Sequence, residues 1–145
     1  RPATSTAPAT LYFREDYPAS ALHEVAHWCI AGPQRRRQED FGYHYISGPR
    51  NAEDQVAFFE SELRTQSLER AFALALGLEF QPSADNVEAD IDAFTQAIQA
   101  HTPTLHDWLA SSAGARARIF IRALERARDR IAQDPHPPLA LGAAR

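Results

Sequence analysis

The chain of 145 residues contains one cysteine, no methionine and no lysine. A lone cysteine, Cys29, cannot close an intramolecular disulfide, so a reducing cytoplasm is the expected setting. All 15 basic side chains are arginine, and 19 acids bring the net charge to -4. Bulk electrostatics therefore gives no attraction for nucleic acid. No apolar run comes near the roughly 18 residues of a membrane span, and no secretory leader is visible. Without an initiator methionine the chain reads as processed or trimmed, with residues upstream of Arg1 missing. The composition is otherwise ordinary for a globular protein. With 44% hydrophobic and 23% charged residues, a chain of this length can build one domain with a real core.

The most informative stretch is Ala21-Leu22-His23-Glu24-Val25-Ala26-His27-Trp28-Cys29-Ile30-Ala31-Gly32. His23 and His27 are four apart, which on an α-helix stacks both imidazoles on one face. Two neutral imidazoles so placed can grip one divalent metal, and Glu24 completes the H-E-x-x-H pattern. A helix is expected here: Asp16 can cap it, Pro18 suits its first turn, and Gly32-Pro33 stops it. Leu22, Val25, Ala26, Cys29 and Ile30 supply its apolar face. Cys29 faces away from the two histidines and reads as a small core residue.

Around that helix the chain reads as a single domain, residues 1–145, mainly α with a small β component (α+β), its metal site on a central H-E-x-x-H helix. Residues 1–9 are expected to be loose. Leu11-Tyr12-Phe13 is a short strand candidate. Phe41–Ile46, aromatic and ended by Gly48-Pro49, is a strand or an extended loop. Asn51–Glu62 reads as a helix, with Val56, Phe59 and Leu63 at helical spacing. Thr65–Leu78 is a second helix or its continuation, with Leu68, Phe72, Ala75 and Leu76 inward and Gly77 near its end. Asn86–Ala100 turns Val87, Ile91, Phe94 and Ile98 inward, and Thr104–Ala110 is a short helix. Ala115–Ala132 is long and amphipathic, with Phe120, Ala123, Leu124, Ala127 and Ile131 on one side. Prolines 135, 137 and 138 make 134–145 an irregular tail.

Two histidines alone hold a metal poorly, so the chemistry depends on a third ligand. Glu39, Asp40, Glu53, Asp54, Glu60, Glu62 and Glu69 all lie downstream, and spacing does not choose among them. Pro33 stands where some zinc proteases place a third histidine. Two histidines and a carboxylate with open positions suit a non-haem Fe(II) oxygenase. The same motif, with Glu24 as general base on bound water, suits a zinc hydrolase or peptidase. A closed, four-coordinate site would instead mean a structural metal in a non-catalytic binding module. His44 is the local candidate for that fourth ligand.

Four further blocks narrow the choice. Asp40-Phe41-Gly42-Tyr43-His44-Tyr45, the turn Gly48-x-Arg50, Glu62-Leu63-Arg64-Thr65-Gln66-Ser67-Leu68 and Asp85-Asn86-Val87-Glu88 follow the metal helix in that order. With Ala19–Gly32 they make the chain, from about Leu11 onward, resemble the elongation factor P hydroxylase family of bacteria. The resemblance implies a metal-dependent hydroxylase acting on the lysine of translation elongation factor P that already carries a β-lysyl group. It implies His23, His27 and Glu62 as metal ligands, with Glu60 in reserve, and Fe(II) as the metal with O₂ as co-substrate, although zinc can occupy such a site in preparation. Glu24 then orients a ligand or water, and it is the catalytic candidate. Asp40, Tyr43, Tyr45, Asp85 and Asn86 are candidates for lining the substrate or supporting the ligands, though each could equally pack or cap. The chain departs from the family between Phe13 and Tyr17, in having less sequence before the metal helix, and at Thr65, where a proline is expected. No 2-oxoglutarate signature is visible. Partners implied are elongation factor P, with no nucleic acid and no membrane.

Arg118, Arg122, Arg126 and Arg130 recur every fourth residue and form a stripe beside the apolar side of the last helix. The ordinary reading is a solvated, salt-bridged surface. The functional reading is that the stripe, with Arg35–Arg37, steers an acidic protein partner.

Overall fold

The computed structural model describes residues 2–3, 7–14, 17–42, 52–82 and 91–133. Its elements are α1 (Pro18–Ile30), two short 3₁₀ turns (Arg35–Arg37 and Glu39–Gly42), α2 (Ala52–Leu76), α3 (Ile91–Ala100), α4 (Thr102–Ala110) and α5 (Ala115–Gln133). The protein is mainly helical. The expected β component is not seen, since no strand occurs among the described residues. Leu11-Tyr12-Phe13 has no ladder partner there; Tyr12 and Phe13 are exposed. Phe41 belongs to a 3₁₀ turn, and residues 43–51, which hold most of the second strand candidate and His44, lie outside the described residues, as do Asp85, Asn86 and the 134–145 tail.

α1 begins at Pro18 as its fixed φ allows, but the residue at the cap position is Tyr17, which makes no side-chain capping bond. Asp16 lies outside the described residues. The helix buries Leu22, Ala26 and Cys29, an i, i+4, i+7 stripe. At its end Ala31 leaves the helical region, and the last carbonyls are satisfied from elsewhere in the chain. Arg116 Nη2 of α5 donates to the carbonyls of Cys29 (2.7 Å) and Ala31 (2.8 Å) and, more weakly, to that of Trp28 (3.4 Å). Arg36 Nη1 also donates to Ala31 O. A cation at a helix C-terminus is favoured by the helix dipole as well.

α2 is one continuous helix of 25 residues, and it holds the central place expected of the H-E-x-x-H helix: α1, α3, α4 and α5 all pack on it. It ends in a Schellman arrangement. Gly77 takes φ +79, its N–H donates to Leu74 O at 3.1 Å, and Leu78 N–H donates to Ala73 O at 2.9 Å.

The core gathers Leu22, Ala26 and Cys29 of α1, Leu68, Phe72 and Ala73 of α2, Leu105 of α4 and Ala117 of α5. Phe72 meets Phe120 edge to face at 4.9 Å, and Phe59 meets buried Phe94 at 5.2 Å. Four apolar residues expected inside are exposed: Val56, Ile91, Ala123 and Ile131. Ile131 lies in the stretch 128–133 of α5, which is exposed throughout. Each obeys the helical period, but the period only selects a face and cannot say whether another element covers it.

Candidate metal centre

A polar run interrupts the buried face of α2. Glu62, Thr65, Gln66, Ser67 and Glu69 are all buried. Burying so many polar groups on one helix is costly unless each finds a partner. Several of those partners converge on the two histidines of α1.

His23, His27 and Glu62 come together as three donors whose ligating atoms all lie within 4.8 Å of one another. The two Nε2 atoms are 3.1 Å apart. Glu62 reaches both, with Oε2 at 3.8 Å from His23 Nε2 and Oε1 at 3.7 Å from His27 Nε2. Donors bound about 2.1 Å from a shared ion stand about 3.0–3.4 Å apart, so the histidine pair already has this spacing and a small carboxylate shift completes it. Glu60, the reserve candidate, is exposed and outside this cluster.

The outer nitrogens fix the histidine tautomers. His23 Nδ1 donates to Glu69 Oε2 at 2.8 Å, because an ionised carboxylate can only accept. Thr65 Oγ1 donates to Ser61 O at 2.9 Å and so has a lone pair turned to His27 Nδ1 at 3.4 Å. With both Nδ1 atoms protonated, both Nε2 lone pairs converge on one point. Two lone pairs 3.1 Å apart repel unless a cation or a proton lies between them. Gln66 Nε2 donates to Glu62 Oε2 at 3.3 Å. Each of the three donors thus has its own buried partner on α2: Glu69 for His23, Thr65 for His27 and Gln66 for Glu62. Metal-binding histidines with a carboxylate on the far nitrogen are held in orientation and made more basic.

Protonation follows the same geometry. Burial alone would lower the pKa of His23, but the hydrogen bond and charge of Glu69, with Glu62 and Glu24, outweigh it and raise it above 6.5. His27 is pushed down to about 3, first by burial, then by His23 and Arg35 nearby. His23 thus holds its proton more tightly than a free imidazole, and a metal competes with that proton, whereas His27 is a neutral ligand at neutral pH. Glu24 is raised, chiefly by burial and further by Asp40 and Glu62, against the pull of His23.

The wall beside the histidines comes from the 3₁₀ turn after α1. Asp40 (φ 46) and Phe41 (φ 56) are consecutive non-glycine residues in the left-handed region, a strained arrangement that surrounding contacts must hold. Arg35 Nε donates to Phe41 O at 2.8 Å, and the Phe41 ring stacks on His27 at 6.4 Å.

The sequence pointed to His23, His27 and Glu62, and the structure brings those three together. It named Glu69 only as one acid among seven and gave Thr65 and Gln66 no role. A signal was present: residues 62, 65, 66 and 69 follow the i, i+3, i+4, i+7 period on an otherwise apolar face, so this polar stripe shares the period of a core stripe.

Fold and donors define a class: a helical frame in which two histidines of one helix and a glutamate of its neighbour are positioned to bind a metal. A sequence model described as elongation factor P hydroxylase matches residues 1–135, and the chain belongs to that family. A curated relative, the elongation factor P lysine hydroxylase of Haemophilus influenzae, is 43% identical over 91 residues, covering 61% of this chain and 51% of the relative. The chain thus spans about half the length of the curated relative it matches. No solved structure matches.

Proposed function

We propose that this protein hydroxylates a lysine side chain of translation elongation factor P at a metal held by His23, His27 and Glu62. Family membership and the name of the curated relative support the reaction. The single structural observation that carries it is the convergence of the three donors, each with its own buried partner. Three protein donors leave coordination positions open, as non-haem iron chemistry requires. Bound Fe(II) would supply the activation of O₂ needed to attack an unactivated C–H bond. One oxygen enters the lysine side chain, and the other leaves as water with electrons and protons from an external reductant. The chain's own residues bind and orient. Glu69, Thr65 and Gln66 hold the donors, the Phe41 ring stacks on His27, and Glu24 follows His23 on α1. The family resemblance implies that the target lysine already carries a β-lysyl group, and a translation factor as substrate supports a cytoplasmic setting for the reaction. No helix of the described residues is long and apolar enough to cross a membrane.

The test is mass spectrometry of elongation factor P after incubation with the iron-loaded protein, O₂ and a reductant. A gain of one oxygen on the target lysine is expected, lost without O₂ and with zinc in place of iron. Peptide cleavage by the zinc form, abolished in Glu24→Gln, would instead make the protein a hydrolase.

A further inference from the structure

Beside the metal centre lies a cavity of about 170 Å³ whose lining includes Tyr12, Glu24, Trp28, Arg36, Asp40 and Phe41. Two of these tie it to the donors: Glu24 follows His23 in the chain, and the Phe41 ring stacks on His27. Its lining carries two acids, Glu24 from α1 and Asp40 from the 3₁₀ turn, against one cation. The one cation in the lining, Arg36, points its guanidinium at the carbonyl of Ala31. The rest of the lining is mixed: the rings of Tyr12, Trp28 and Phe41, together with Gln38 and residues of the N-terminal segment. Carboxylates and aromatic rings together suit an alkylammonium, which gains charge pairing from the first and cation–π attraction from the second. Asp40 and Phe41 reach these positions only by taking the left-handed conformation.

We infer that this cavity is the binding site for the substrate's lysyl ammonium group, with Glu24 and Asp40 as its counter-charges. The inference rests on the proposed reading of the protein as a lysine hydroxylase, and it adds residues that choose the substrate. An ammonium held between Glu24 and Asp40 leaves the methylenes of the same side chain against Phe41, whose ring stacks on His27. A neutral side chain of the same length forfeits this charge pairing, and the site discriminates against it on that ground.

The test uses the full chain loaded with zinc, which binds without turnover. n-Pentylammonium and the neutral n-pentanol are titrated at neutral pH and followed by NMR in the wild type, Asp40→Asn and Glu24→Gln. Removing one charge-assisted contact weakens binding by about tenfold or more. The expected result is saturable binding of the ammonium to the wild type, little binding of the alcohol, and a loss of about that size in each variant. Asp40 lies off the metal helix, so Asp40→Asn decides the matter if Glu24→Gln disturbs the metal. Equal binding of alcohol and ammonium, no saturation in the wild type, or wild-type affinity in Asp40→Asn overturns the inference. The two readings fail separately. If no oxygen reaches elongation factor P while charge-dependent ammonium binding persists, the hydroxylase reading falls and the cavity stands. If oxygen is transferred and Asp40→Asn leaves the KM for elongation factor P unchanged, the cavity assignment falls.

Discussion

Replacing Glu69 by glutamine removes a charge and little else. The side chain is only 8% exposed, and its amide oxygen can still accept from His23 Nδ1 across the present 2.8 Å. Two effects of opposite sign follow. A buried partner on the far nitrogen of a ligating histidine is worth about 10–100-fold in metal affinity, or about 1.4–2.8 kcal/mol. That loss applies at high pH, where no proton competes. The second effect concerns the proton. Glu69 is the main group raising the pKa of His23 against burial. In the wild type, affinity therefore falls as pH drops through that raised value, because the proton and the metal compete for His23. Without the Glu69 charge, burial prevails and His23 deprotonates at lower pH. The affinity–pH curve of Glu69→Gln should have a lower plateau and a midpoint shifted toward acid. The assay is Co(II) or Zn(II) competition against a coloured chelator between mildly acidic and mildly alkaline pH, with circular dichroism to confirm folding. A folded variant with an unchanged plateau would refute the positioning role, and a midpoint moved toward alkali would refute the electrostatic account.

Other expectations concern the ligands, the helix end, the thiol and the arginine stripe. His23→Ala and His27→Ala should each abolish metal content, and Glu62→Ala should lose metal where Glu60→Ala keeps it. The reverse result for the two glutamates, read by elemental analysis, would reassign the carboxylate. Arg116→Met preserves much of the side-chain volume but leaves the Cys29 and Ala31 carbonyls without that donor. A loss of about 2 kcal/mol in urea unfolding is expected, and an unchanged midpoint would show that water replaces the guanidinium at no cost. Cys29 is fully buried, and burial pushes its thiol up to about 11. Iodoacetamide at mildly alkaline pH should therefore label it only at the rate of unfolding, so rapid labelling of folded protein would contradict its place in the core. Arg118 donates to the carbonyls of Leu109 and Ser111, leaving Arg122, Arg126 and Arg130 as the exposed part of the stripe. Reversing Arg122 and Arg126 to Glu should slow association with elongation factor P at low salt and leave metal content intact. Association at the wild-type rate would make the stripe a solvated surface.

What the sequence determined by itself was local. The pair His23 and His27 follows from the helical period, and the period needs only Pro18, the apolar stripe and Gly32 to be trusted. The helices, the Gly77 stop and the α4–α5 pair were legible for the same reason: capping chemistry and periodicity act within a few residues. The short strand expected at Leu11–Phe13 is not seen: an aromatic run favours a strand only when another strand pairs with it, and none occurs among the described residues. The left-handed Asp40–Phe41 pair had no local signal, since neither residue is glycine, and tertiary contacts such as Arg35 to the Phe41 carbonyl and Phe41 on His27 hold it. Glu62 came from a family resemblance and not from spacing, which left seven acids equivalent. Only the packing of α1 against α2 distinguished them. It turned Glu62 and Glu69 inward and left Glu60, two residues earlier on the same helix, in solvent. The polar residues that hold the ligands share a helical period in the sequence, but a polar helix face normally means water, so the period alone did not assign them a role. Here it faces the two imidazoles, and that exchange of solvent for histidine is a fact of tertiary structure alone.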